Sequence, residues 1–304
     1  MYVGPPRHVA GLPELDRTLV MGVLNVTPDS FSDGGRWFDT DRAVEHGRRL
    51  VSEGADLVDV GGESTRPGAV RPTLQQELDR VVPVVSALAA RGVTISVDTM
   101  RADVAAAALE AGAVLVNDVS GGRADPDMFA TVARHRAPYV LMHWRAHSTT
   151  MQQQTHYDDV VTDVAAELAE QLELALAAGI APDRIALDPG IGFSKTAEQN
   201  WQVLAATTEY HRLGQPLLVA TSRKRFLGTL LADPGEAPRP ALERDDATTA
   251  TTALAAVAGA WCIRAHAVRP TADAVRVAAR WAASARSDHP PTDPWAAPGT
   301  GGHR

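Results

Sequence analysis

Met21-Gly22-Val23-Leu24-Asn25-Val26-Thr27-Pro28-Asp29-Ser30-Phe31-Ser32-Asp33-Gly34-Gly35 changes character at a single residue, Asn25. The apolar run that leads into it, Leu19 to Leu24, has the length of a strand buried on both faces, and the Pro, Asp, Ser and Gly after it are loop formers. Chemistry is therefore expected where this strand ends.

Working outward, seven further apolar runs recur at 56–60, 93–98, 114–118, 138–143, 184–188, 216–220 and 261–266. Longer Ala-rich helical patterns separate them, among them 41–53, 74–90, 101–110, 158–178 and 271–286. This alternation is the mark of βα units on a parallel sheet. A doubly wound open sheet competes, but its first βα turn would carry a glycine-rich phosphate fingerprint, and Val60-Gly61-Gly62-Glu63 does not match it. Eight units in a chain of 304 residues predict an α/β fold, a single-domain (β/α)8 TIM barrel over residues 19–286. Residues 1–18 read as a short N-terminal leader, 234–256 as a surface excursion before strand eight, and the Pro- and Gly-rich stretch 287–304 as a disordered tail.

A net charge of −8 argues against a nucleic-acid partner, which would call for a basic field. Anionic small molecules would need a local cluster of cations. Cys262 is the single cysteine, so no intrachain disulfide can form, which suits a reducing cytoplasm. With neither a signal-like segment before Leu19 nor an apolar stretch long enough for a bilayer, no membrane association is expected.

Polar residues close nearly every run. Asn25, Asp98, Asn117 with Asp118, His143 and Asp188 stand at or near strand ends. Glu63 to Arg66 and Ser222-Arg223-Lys224-Arg225 follow two others, and strand eight carries Arg264 and His266. An isolated Asp after a strand is usually a cap for the next helix. So many polar endings at one end of a barrel predict a site at its mouth. Arg264 and His266, two apart on a strand, share a face and could clamp an anion.

The Met21–Gly35 run, followed by Val60-Gly61-Gly62-Glu63-Ser64-Thr65-Arg66-Pro67-Gly68, resembles the dihydropteroate synthases, which join a pterin pyrophosphate to 4-aminobenzoate. The likeness spans about Leu19 to Ala285. It implies that Asp98, Asn117, Asp188 and Lys224 hold the pterin, and that Asn25, Arg66, Arg264 and His266 hold the pyrophosphate, Asn25 through Mg2+. It also implies that Phe31, Thr65, Pro67 and Ser222 surround the 4-aminobenzoate, and that the loop bearing Asp33 closes over the site. The carboxylate of 4-aminobenzoate would meet the N-terminus of a helix starting near Ser222. A homodimer is implied by analogy alone.

The chemistry expected is a dissociative displacement: Asp98 opposes positive charge developing on the pterin, while the cations and Mg2+ hold the departing anion. Asp98, Lys224, Arg264 and His266 are the expected catalytic residues. His143 reads as a supporting residue, and Glu63 equally as a base or as an ion-pair partner of Arg66. Two other readings stand beside this one: a pterin-binding paralogue without condensing activity, and a methyltetrahydrofolate methyltransferase. Ser194 and Thr221 depart from the family pattern, which favours Gly and a small apolar residue there, and Arg123-Ala124-Asp125-Pro126 has an actinobacterial look.

Overall fold

The computed structural model describes residues 8–27, 36–63, 71–147 and 153–285. Within them the eight runs become strands β1 (Leu19–Asn25), β2 (Leu57–Gly61), β3 (Ile95–Asp98), β4 (Leu115–Asp118), β5 (Tyr139–Met142), β6 (Ile185–Asp188), β7 (Leu218–Val219) and β8 (Cys262–Ala265). All pair in parallel, in the order β6-β5-β4-β3-β2-β1-β8-β7. A bridge between Leu187 and Leu217, with Leu187 N–H donating to Pro216 O at 2.8 Å, joins β6 to the start of β7 and closes the ring. The chain is a TIM barrel, as the alternation predicted.

Ten α-helices are described: α1 (Arg36–Ser52), α2 (Leu74–Ala89), α3 (Ala102–Glu110), α4 (Met128–His135), α5 (Val160–Ala177), α6 (Ala197–Ala205), α7 (Thr207–Tyr210), α8 (Arg225–Leu230), α9 (Asp245–Val257) and α10 (Val268–Ala285). Their starts are legible where a side chain caps them. Thr73 and Thr196 each form a reciprocal capping box, with Gln76 and Gln199, and Asp159 caps α5 through the Thr162 N–H. None of the described helices is long and apolar enough to cross a membrane.

Strand alternation sorts the core into two layers. Outward residues such as Val20, Leu24, Val58, Val60, Val97, Val116 and Leu187 pack under the helices. Inward residues Leu19, Met21, Leu57, Leu115, Val140, Ala186, Leu218 and Cys262 fill the lower barrel, and Val9 and Leu12 of the leader seal its floor with Trp261. One step further up the same inward rows stand Asp59, Asp98, Asn117, Asp188 and Arg264. Register sets Asn25 beside Gly61, Gly61 beside Asp98 and Asp98 beside Asn117, so these strand ends share one rim.

Candidate active site

Arg264 rises from β8 into the barrel interior and bonds two carboxylates on strands that do not neighbour its own. Its Nε donates to Asp59 Oδ2 and its Nη2 to Asp98 Oδ2, both at 2.6 Å. Asn117 Nδ2 donates to the same Asp59 oxygen at 3.0 Å. Burial raises the Asp98 carboxyl to about 7; Arg264 pulls it down while Asp59 pushes it up. For Arg264 burial acts to lower the guanidinium, and the attraction of Asp59 and Asp98 outweighs it and holds the charge firmly. Asp59 is fully buried, and its Oδ1 has no hydrogen-bond partner among the described residues. An unpaired buried acceptor costs about 1–3 kcal/mol, an expense that stability alone would not maintain.

Across the rim, β6 delivers Asp188, whose register partner is Met142. Its Oδ1 accepts the Gly190 N–H at 2.7 Å, and burial raises its carboxyl against the opposing charge of Lys224. Gly190 and Gly192 turn back at φ +69° and +84°. A Cβ on Gly190 would stand 2.4 Å from His143 O and one on Gly192 2.6 Å from Lys224 Cδ, so the turn lies flat against both neighbours. Lys224 Nζ donates to Ile191 O within this turn and stands 4.9 Å from the centre of the Phe193 ring. Burial lowers the Lys224 ammonium to about 8.

Met100, Val119 and Met142 cluster above β3 to β5, with Trp144 and Phe193 packed against them. They form an apolar wall beside Asp98, Asn117 and Asp188. A flat heterocycle with a polar edge needs that combination of apolar slot and fixed polar partners.

The segment after β7 corrects one expectation. The helix there, α8, begins at Arg225 rather than near Ser222 and has six residues. Ahead of it the Arg223 and Lys224 N–H groups are donated, to Thr248 Oγ1 at 3.2 Å and Thr221 O at 3.1 Å. Ser222 Oγ instead accepts the His266 N–H at 3.1 Å and bonds its Nδ1 at 2.9 Å. β8 ends at Ala265, which leaves His266 just beyond the strand, fixed by Ser222 rather than by pairing. Thr221 turns its hydroxyl to Thr251 on α9 at 2.8 Å and is buried, so the departure there is absorbed away from the mouth.

Of the loop residues, Phe31, Asp33, Thr65, Arg66 and Pro67 lie outside the described residues, as does the tail 287–304. Asn25 stands half-buried at the end of β1. Glu63 pairs with Arg71 at 3.1 Å, and burial raises its carboxyl. His143 is buried and held between Glu167 and Lys195, which is the supporting position its sequence context suggested. Asn117 and Asp118, adjacent in sequence, face opposite ways: Asp118 points outward and accepts from Tyr139 Oη at 2.7 Å.

A model of the family described as pterin binding enzyme matches residues 21–266. The dihydropteroate synthase of Mycobacterium leprae is 54% identical over 263 residues, 86% of this chain and 93% of the relative. The chain belongs to the dihydropteroate synthase family. It is accordingly a transferase that forms a C–N bond in folate synthesis. Among solved dihydropteroate synthases, that of Xanthomonas albilineans with 4-aminobenzoic acid is 44% identical with a TM-score of 0.80, over 89% of this chain and 94% of that one. The same enzyme in complex with 7,8-dihydropteroate gives 42% and 0.79, over 93% and 99%.

Asp59, Lys195 and the apolar wall are site elements beyond those expected from the sequence. Asp59 had a signal: it sits on the inward row of a strand otherwise apolar, two residues before Gly61. Lys195 follows a strand end by seven residues and has no local pattern to mark it.

Proposed function

We propose that the chain condenses 6-hydroxymethyl-7,8-dihydropterin pyrophosphate with 4-aminobenzoate to give 7,8-dihydropteroate and pyrophosphate. The contact of Arg264 with both Asp59 and Asp98, at one mouth with Asn117, Asp188 and Lys224, carries the reading. The relatives solved with 4-aminobenzoic acid and with 7,8-dihydropteroate support the same substrate and product.

In this reading Asn117, Asp188 and Lys224 fix the donor and acceptor edge of the pterin against the apolar wall. The bond from the pterin methylene carbon to the pyrophosphate oxygen breaks first, because the electron-rich ring delocalises the resulting cation. Asp98 opposes that positive charge. Arg264 has committed Nε and Nη2 to carboxylates and retains further N–H donors for the departing oxygens, a task assigned to His266 and Arg66 as well. The amine lone pair of 4-aminobenzoate then forms the C–N bond and the nitrogen loses a proton, with Phe31, Thr65, Pro67 and Ser222 around the ring. Loop closure involving Asp33 keeps water from capturing the cation.

Mg2+ fits the donors present. Asn25 offers a single hard amide oxygen at the rim. Such a ligand suits an ion that keeps most of its shell for water and phosphate oxygens. Bound there, Mg2+ would neutralise charge on the leaving pyrophosphate.

Two copies meet, in this reading, through the neighbouring helices α9 and α10. Leu254, Val277 and Trp281 are 70%, 65% and 71% exposed, and Trp281 lines an apolar groove of about 670 Å³ with Arg276 and Arg280. An exposed aromatic among apolar neighbours is a common anchor of protein interfaces. A cytoplasmic location belongs to the same reading.

The test is pyrophosphate release from the pterin pyrophosphate, followed with and without 4-aminobenzoate, together with calorimetry of pterin binding. Release that depends on 4-aminobenzoate is expected. Binding without such release would leave a pterin-binding paralogue.

A further inference from the structure

Beneath the pterin-facing turn lies a buried lysine that the proposed reaction does not use. Lys195 is buried, 3% exposed, and its ammonium has three acceptors: His143 Nδ1 at 3.1 Å, Gly190 O at 3.1 Å and Phe193 O at 3.3 Å. Two of these are the carbonyls at either end of the turn Gly190–Phe193. The middle of that turn supplies the Ile191 carbonyl to Lys224 Nζ and lays Gly192 against the Lys224 stem, and its last residue sets the Phe193 ring under the ammonium. Asn200 braces the turn from the same side, with Oδ1 on the Gly192 N–H at 2.5 Å and Nδ2 on Thr196 O at 2.7 Å.

A hydrogen-bonded chain runs outward from Lys195. His143 Nδ1 can accept from the ammonium only when its proton is on Nε2, and Nε2 faces Glu167 Oε2 at 3.0 Å. Burial and the nearby Lys195 lower the His143 ring to about 4, which keeps it neutral and fit for that role. Glu167 is in turn held by Arg145, whose guanidinium lies 3.7 Å over the Tyr157 ring. For Glu167 burial acts upward, but the hydrogen bonds of His143 and Arg145 prevail and hold the carboxylate at about 2. Burial lowers the Lys195 ammonium to about 7, with Asp188 on the pterin side opposing that shift and Lys224 adding to it. A buried ammonium this fully engaged is not a general solvent-facing cation, and its bonds converge on the one segment that seats Lys224.

We infer that Lys195 is a positioning residue for the pterin site: it clamps both ends of the Gly190–Phe193 turn and so fixes Lys224 and Phe193 against the bound heterocycle. This rests on the reading that Lys224 and Asp188 hold the pterin. A residue that acts through Lys224 must lose its effect once Lys224 is gone.

The experiment is a double-mutant cycle of Lys195→Met and Lys224→Met, read as the Kd of the pterin pyrophosphate by calorimetry and as KM for each substrate. Lys195→Met is expected to weaken pterin binding about tenfold, with KM for 4-aminobenzoate within about twofold of the parent. Lys195→Arg, which keeps the charge, recovers part of the loss. In the double variant the Lys195 change adds little to that of Lys224. Should Lys195→Met fail to fold, Lys195→Gln replaces it in the cycle and is read the same way. Full additivity, or an equal loss for both substrates, overturns the inference and leaves the pterin reading standing. Unchanged binding by Lys224→Met overturns the pterin reading itself, and this inference with it.

Discussion

Arg264 Nη2 meets Asp98 Oδ2 at 2.6 Å across the barrel interior, with β1 and β2 lying between their two strands. The group assigned to the leaving anion and the group assigned to the pterin cation are thus one hydrogen-bonded unit, completed by Asp59. Two carboxylates and one guanidinium in a buried site cannot all be changed independently. Substituting Arg264 or Asp59 shifts the Asp98 carboxyl, and the expected pH dependence follows from that coupling.

Asp98 must be ionised to oppose a cation, and burial raises it to about 7. Lys224 must be charged to hold the pterin, and burial lowers it to about 8. The value of kcat/KM should therefore rise through about pH 7 as Asp98 loses its proton and fall above about pH 8 as Lys224 loses its own. Asp98→Asn is expected to cut the chemical rate by about 10² or more and to abolish the rising limb. A near-normal single-turnover rate, or an acidic limb that persists unmoved, would end the assignment.

Removing Arg264 leaves Asp59 and Asp98 buried without their cation. Arg264→Ala should therefore lose about 3–5 kcal/mol of stability, as when one partner is stripped from a buried ion pair. The acidic limb should shift to higher pH, because Arg264 is what pulls the Asp98 carboxyl down. Turnover should fall further than pterin retention, since the lost charge faces the leaving group. Urea unfolding and calorimetry check the two parts separately, and unchanged turnover would remove Arg264 from the mechanism.

Asp59→Asn acts in the opposite sense on pH. Asp59 raises the Asp98 carboxyl, so its neutralisation should move the acidic limb of kcat/KM to lower pH. Turnover at the optimum should still drop, because Arg264 loses the anchor on its Nε and Asn117 loses its charged acceptor. A pH profile identical to that of the parent would show that Asp59 serves only to fill the barrel.

Much of this was readable from the chain. The alternation of apolar runs with Ala-rich segments located every strand to within a few residues, because a strand covered on both faces has no other pattern to show. Strand ends named Asp98, Asn117, Asp188 and Arg264, since inward residues one step above an apolar layer must face the mouth. Contacts between strands far apart in sequence were not readable: nothing local to Arg264 says that it reaches Asp98 rather than an anion, and nothing near Ser222 says that Thr248 and Thr221 occupy the N–H groups ahead of α8. Such pairings depend on the pairing of the last strand with the first, which brings β8 to within two strands of β2 and three of β3.

The exposed face of α9 and α10 gives a test of assembly. Trp281→Glu places a charge in the centre of the apolar groove without touching the barrel interior, and Trp281 is 71% exposed in the single chain. Sedimentation should show the parent as a dimer and the variant shifted toward monomer, with thermal stability of the isolated chain nearly unaltered. A dimer that survives the charge would move the interface elsewhere.

Ser194 occupies the left-handed region at φ 48°, where a side chain costs about 1–2 kcal/mol relative to ordinary backbone. Its Oγ is buried and has no hydrogen-bond partner among the described residues, which adds a second cost. Only its carbonyl has a role, accepting from Tyr157 Oη at 3.0 Å, and any residue supplies a carbonyl. Glycine gains there by shedding both costs and loses about 0.5–1 kcal/mol through the greater freedom of the unfolded chain. Ser194→Gly is thus expected to raise stability by about 1 kcal/mol in chemical denaturation while leaving turnover in place, and a fall in the unfolding midpoint would show that this turn is not strained.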